Sequence, residues 1–191
     1  MTTKRKRSPA DPHQVLADLR RLYGQRKWTQ RRKPLDELIY TVLSQHTSDT
    51  NTDRTFASLK SRFPAWRTVQ NASPEEVAEA IKLGGLSRVQ APRIQAILDV
   101  IEADRGDLDL AFLERIPMAD ARGWLTALPG VGPKTAACVL LFSFGLPAMP
   151  VATHVHRVSK RLGFIAEKLP ADKAHPVIES LVDPNDVYQF H

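Results

Sequence analysis

Cysteine is nearly missing from this chain. Cys138 stands alone among 191 residues, which excludes an intrachain disulfide and any zinc or iron–sulfur site built on several thiolates within those residues. No apolar run reaches the roughly 18 residues that a transmembrane helix needs. The basic N-terminus lacks the apolar stretch of a signal peptide. No membrane association is expected, and the expected location is intracellular, in the cytoplasm or nucleoid. Alternating runs that would mark strands or hairpins are missing, as is any internal repeat. With 42% hydrophobic and 25% charged residues, the chain is neither wholly disordered, collagen-like nor a coiled coil. Its length allows one domain or two small lobes, with roughly two-thirds of the surface buried.

What is present is charge in zones. Residues 1–33 carry 11 Lys and Arg against 2 Asp and Glu. Residues 34–114 carry 8 against 13, and residues 115–163 carry 6 against 1. The net charge is +6. Basic zones flanking an acidic one are the electrostatic footprint of a nucleic-acid binder, although a solvated surface with a basic tail has the same totals. Residues 1–12, with Lys4-Arg5-Lys6-Arg7, read as a basic disordered tail: a phosphate-seeking arm, a targeting address or a solubilising segment.

The remainder predicts short helices, an all-α fold. Gln14 to Tyr23 places Val15, Leu16, Leu19 and Leu22 on one face and stops at Gly24. Pro34 opens a helix carrying Leu35, Leu38, Ile39, Val42 and Leu43. Thr52 to Phe63 is the next. Ser73-Pro74-Glu75-Glu76 is a helix start, with a serine cap, proline first and acids in the first turn; Gly84-Gly85 ends it. Helices are further expected over Pro92 to Glu102, Met118 to Ala127, Pro133 to Phe144, Arg157 to Leu162 and Ala174 to Leu181. Asp183-Pro184-Asn185-Asp186 starts a helix with five residues to follow, too few to be stable alone. Either the chain is a fragment or this end frays.

The most specific stretch is Leu128-Pro129-Gly130-Val131-Gly132-Pro133-Lys134-Thr135-Ala136. Two glycines permit a tight turn between helices, and Pro133 starts the second. The turn exposes backbone N–H groups at a helix N-terminus, which suits a phosphate oxygen and carries no base information. Lys134 falls in the first turn of that helix. The positive helix end disfavours an ammonium there and favours a neutral amine, a nucleophile able to form a Schiff base with a sugar carbon. The plainer alternative is a lysine reaching a phosphate.

This hairpin, followed by Val151, Thr153-His154-Val155 and Arg157-Val158, resembles the helix-hairpin-helix DNA glycosylases, and within them the endonuclease III family. Leu43-Ser44-Gln45-His46-Thr47-Ser48-Asp49, Gly85-Leu86 and Ala91-Pro92-Arg93-Ile94 carry the likeness further. It covers roughly residues 13–191. The resemblance implies two helical lobes with a DNA-binding cleft between them. A six-helix barrel would span 34–146, including the helix-hairpin-helix at about 118–144, and residues 13–33 plus 147–191 would form the second lobe. It implies a bifunctional DNA N-glycosylase and abasic-site lyase acting, as a monomer, on oxidised pyrimidines in double-stranded DNA with damaged or abasic sites. A damaged base would be flipped out, and Gln45 or His46, with Leu86, would fill the gap. Gly130, Val131, Gly132, Thr153 and His154 fall on DNA-binding positions. Lys134 falls on the lysine that attacks C1′, and β-elimination then cuts the strand. The carbonyls of Thr126, Leu128 and Val131 fall on positions that hold a monovalent cation.

Two departures matter. The family carries an aspartate between Val151 and Thr153, where this chain has Ala152. Losing a positioned proton-transfer or electrostatic group typically costs about 10²–10⁴ in rate. A single replacement inside a matching pattern reads as an inactivating substitution, engineered or natural, so impaired base excision is expected. The family's [4Fe–4S] cluster needs four cysteines near the C-terminus. No cofactor is expected within these residues, and a cluster only if the chain continues past residue 191. Cys138 reads as a core residue. Two other readings remain: a catalytically silent module that binds damaged or abasic DNA, and a water-using glycosylase, against which Lys134 argues.

Overall fold

A computed structural model describes residues 8–191. The run Lys4 to Arg7 lies outside the described residues. The chain is helical, and among the described residues no helix is long and apolar enough to cross a membrane. The tail expected over residues 1–12 does not extend to its last residues. The Ala10 N–H donates to the Leu162 carbonyl at 2.8 Å, and Asp11 caps α1 (Pro12–Tyr23) by accepting from the His13 N–H.

The larger lobe holds α2 (Pro34–Leu43), α3 (Asp49–Arg62), α4 (Trp66–Asn71), α5 (Pro74–Ala80), α6 (Ser87–Arg105), α7 (Met118–Ala127) and α8 (Pro133–Phe144). Its core draws on every one of these helices, from Leu35 to Ala148. The apolar residues that the sequence places on one face of α2, Leu35 to Leu43, are all buried there. The predicted start of α5 is present as a full capping box between Ser73 and Glu76, which satisfies two otherwise orphaned N–H groups.

A second core joins Leu16, Leu141, Met149, Val151, Ile165, Ala174, Ile178, Val182 and Val187. These come from α1, α8, α10 (Ala171–Glu179), α11 (Val187–Phe190) and the segments between helices, and the partly buried Val155 of α9 (Thr153–Leu162) packs against them. Helix α8 is the shared spine: Leu140 belongs to the first core and Leu141 to the second. The segment after α1 is stitched to the larger lobe. Arg31 and Arg32 both reach the fully buried Glu37 of α2, and Trp28 donates to the Leu141 carbonyl at 2.7 Å.

Several boundaries differ from the sequence reading, each for a visible reason. Helix α6 starts at Ser87, with Pro92 inside it. Proline removes one N–H, and both Pro92 and the preceding turn's Arg88 lie exposed, so the freed carbonyl meets water. Pro176 sits inside α10 on the same terms. Helix α4 carries no cap bond; it forms because Val69 is buried against the core. Fraying after Asp183, one of the two alternatives, is not what the structure shows. Asp183 caps the turn at Pro184–Asp186, Val187 is buried, and Gln189 bonds both the Arg26 N–H and the Gly24 carbonyl. Packing against α1 supplies what so short a helix lacks.

Candidate active site

Helix α7 ends at Ala127 and α8 begins at Pro133, leaving Leu128 to Gly132 as the turn. Only one of its two glycines needs to be glycine for its backbone angle. Gly130 has φ 70°, a left-handed conformation that costs an L-residue roughly 1–2 kcal/mol. A Cβ there would also lie 2.6 Å from the Arg93 side chain. Gly132 is extended, at φ −98° and ψ 179°, and stands at the N-cap of α8 with no side chain to cap it. The first turn of α8 therefore offers its backbone donors outward, and a proline occupies the first position, where an N–H would have no acceptor within the helix.

Two elements converge on this turn. The Gln45 amide donates to the Gly130 carbonyl at 3.4 Å, and Arg93 of α6 donates to the Gln45 side-chain oxygen at 3.2 Å. Val131 is buried beneath. The turn is thus held from the end of α2 and from α6.

Lys134 is half-buried. It lines an open cleft of about 390 Å³. The larger lobe contributes Gln45, Gly130 and Gly132 to its walls, and the smaller lobe contributes Val151, Ala171, Asp172 and His175. The cleft therefore lies between the lobes. Arg122 of α7 pairs with Glu179 of α10 at 2.7 Å, tying one wall to the other.

The structure brings together Lys134, Gly130, Gly132 and Gln45. His46, next to Gln45, is exposed and has φ 62°, the sole left-handed residue other than glycine among the described residues. Backbone strain of that kind persists where the surroundings impose it. Leu86 stands at the N-cap of α6 after Gly85 and is 42% exposed. Ala152 is the N-cap of α9, beside the cleft-lining Val151, with no side-chain cap bond. Thr153 and His154 are exposed. His154 is turned elsewhere: it bonds Arg157 and lines a separate apolar groove with Val15, Leu19 and Phe190. Of the three carbonyls named for a cation, that of Leu128 already accepts the Val131 N–H at 3.1 Å, which leaves it one lone pair.

Cys138 is buried in α8, and burial pushes its thiol up to about 11. Iron–sulfur clusters take several thiolates, so the residues present do not fit one. Asp172 and His175 escaped the sequence reading. They sit in the Ala171–Glu179 helix, whose pattern reads as an ordinary amphipathic face. Only the packing of α10 against α8 carries them to Lys134.

Residues 39–184 match the family described as HhH-GPD superfamily base excision DNA repair protein. A putative DNA glycosylase of Arabidopsis thaliana is 37% identical over 147 residues, covering 77% of this chain and 50% of that protein. Endonuclease III of Thermotoga maritima is 38% identical over 158 residues, covering 81% of this chain and 68% of the relative. The chain thus spans about half the length of the plant relative and two-thirds of the bacterial one. Among solved structures, a non-covalent endonuclease III–DNA complex superposes with a TM-score of 0.78 at 28% identity, covering 94% of this chain and 82% of the other.

Proposed function

The chain belongs to the HhH-GPD superfamily of base excision DNA repair proteins, and on that premise we propose that it is a bifunctional DNA glycosylase and abasic-site lyase of the endonuclease III type. Its substrates are oxidised pyrimidines and abasic sites in duplex DNA, which it engages as a monomer. The observation that carries this reading is the seat of Lys134. Lys134 is half-buried on the wall of a cleft between two lobes, in the first turn of a helix whose N-terminus follows an exposed glycine bend. Phosphate binds at that bend through backbone N–H groups and the helix dipole, which fixes the register of the strand without reading sequence.

A damaged nucleotide rotates out of the stack at a cost of a few kcal/mol. His46 fills the gap, since Gln45 is committed to Gly130 and Arg93 while His46 is exposed and left-handed. Leu86 enters from the other loop. The Lys134 amine attacks C1′, the base departs with the electrons of its glycosidic bond, and an imine links enzyme and sugar. Loss of a C2′ proton then expels the 3′ phosphate. A monovalent cation on the carbonyls of Thr126, Leu128 and Val131 would stiffen the bend, because hard cations take oxygen ligands. A [4Fe–4S] cluster enters no step.

Ala152 weakens base excision more than the lyase step. Expelling an intact base from a sugar needs stabilisation of positive charge on the ring, and a methyl group supplies none. Ala152→Asp is expected to raise excision from an oxidised-pyrimidine duplex by about 10²-fold or more. It also supplies the missing cap of α9, worth about 1 kcal/mol of stability. The reading is tested by incubating the unaltered chain with an abasic-site duplex and borohydride. A covalent protein–DNA adduct is expected. No adduct, even after Ala152→Asp, contradicts it, and salt-dependent binding without cleavage by either protein favours a silent DNA-binding module.

A further inference from the structure

An attacking lysine needs a group to take its proton, and residue 152 offers only a methyl group. Two side chains on the walls of the Lys134 cleft can accept one: Asp172 and His175. Asp172 is exposed in the first turn of α10, where water competes for its carboxylate. His175 is 2% exposed and rigidly placed. Its Nδ1 lies 2.7 Å from the Met149 carbonyl. That oxygen can only accept, so Nδ1 carries the hydrogen and Nε2 carries a bare lone pair. The same residue is held at its other end, because the Met149 N–H donates to Glu179 at 2.8 Å. Glu179 in turn is paired with Arg122. Nε2 has no hydrogen-bond partner among the described residues.

We propose that His175 is a catalytic base in this chain, accepting a proton from the Lys134 ammonium through Nε2. The inference rests on the lyase reading above and supplies that reaction with its proton acceptor. The step runs on the open-chain aldehyde of an abasic sugar. His175 takes one proton, and the freed lone pair on the lysine nitrogen forms a bond to C1′ as the carbonyl π pair moves to oxygen. The imidazolium returns its proton to that oxygen. Two of the three ammonium protons thereby leave with the oxygen as water, and the iminium remains on Lys134.

Burial holds the ring below the usual histidine range. The hydrogen bond to Met149 and the carboxylates of Glu179 and Asp172 work in the opposite sense, and Arg122 reinforces burial. The charged groups facing the ring are therefore Asp172 and Glu179 from α10 and Arg122 from α7, and Lys134 of α8 lines the same cleft. The ring is neutral at pH 7 and ready to accept.

The test is single-turnover borohydride trapping on an abasic-site duplex between about pH 5 and 9. The unaltered chain should show a plateau through neutral pH and an acid limb below the ordinary histidine value of about 6.5. His175→Asn keeps an N–H for Met149 but has no base. Its trapping rate at pH 7 should fall about 100-fold or more and climb steadily with pH as solvent alone deprotonates the amine. Its affinity for the abasic duplex should be unchanged. Asp172→Asn should stay within about threefold of the unaltered rate, an effect far below that of losing a general base. Retained rate and retained acid limb in His175→Asn overturn the proposal, as does transfer of the loss to Asp172→Asn. Should His175→Asn fail to fold, the unaltered chain decides: a rate that climbs continuously from acid to alkali contradicts a histidine base. No adduct at any pH from the unaltered chain removes the lyase reading, and this inference with it. An adduct that His175→Asn forms at the unaltered rate removes this inference alone.

Discussion

Among the loops of the larger lobe that carry a glycine in the left-handed region, two are built for opposite ends. Gly130 at φ 70° is packed: Arg93 occupies the place of a Cβ at 2.6 Å, and Gln45 holds its carbonyl. Gly85 at φ 91° has nothing within 4 Å of a Cβ, and the leucines on either side, Leu83 and Leu86, are 52% and 42% exposed. One bend is a fixed seat beside Lys134, suited to a phosphate that must not move. The other is a half-exposed apolar edge, suited to entering something else. A pair of glycines in a sequence announces a bend; what packs on the bend decides whether it binds or probes.

The largest effect expected from this contrast is Gly130→Ala. It adds left-handed strain to a collision that pushes Arg93 off Gln45, so a loss of about 2–3 kcal/mol in denaturant unfolding is expected. Displacing the bend beside the amine should lower the abasic-adduct rate about 100-fold. An alanine variant of unchanged stability and rate would erase the distinction between the loops. Leu86→Ala comes next. It should leave the melting temperature within a degree or two, yet reduce excision from a paired lesion about tenfold, since an unstacked duplex loses the side chain that fills it. Cleavage of a lesion in single-stranded DNA should be spared, and equal losses on both substrates would show that Leu86 does not act on the duplex. The smallest effect is Gly85→Ala. Strain alone operates there, so about 1 kcal/mol of stability is expected to go, with adduct formation little changed. A loss equal to that of Gly130→Ala would mean that the Arg93 contact contributes nothing.

Much of this contrast was legible in the sequence, and the limits have physical causes. Local rules were enough for α5, whose cap, proline and acids act within one turn, and for α7 and α8, bounded where the sequence reading placed them. The bend at Leu128 to Gly132 and the position of Lys134 were also readable. Helix α4 was not, because six residues without a cap depend on the core that receives Val69. Pro92 misled, because a proline inside a helix is tolerated where the freed carbonyl reaches solvent. The choice between Gln45 and His46 stays open in the sequence, and the hydrogen bond across 85 residues that leads the proposal to favour His46 is encoded in no local spacing. His175 was out of reach for the same reason: its partner Met149 and its neighbour Lys134 are brought to it by tertiary packing, and no spacing encodes that.

The central claim is that one amine, on Lys134, bonds to the sugar. The most direct measurement is mass spectrometry of the borohydride-reduced adduct after nuclease and protease digestion, reading which residue keeps the deoxyribose remnant. The account predicts the remnant on Lys134 and no adduct from Lys134→Ala. A remnant on any other lysine or on the N-terminal amine, or an undiminished adduct from Lys134→Ala, would contradict it.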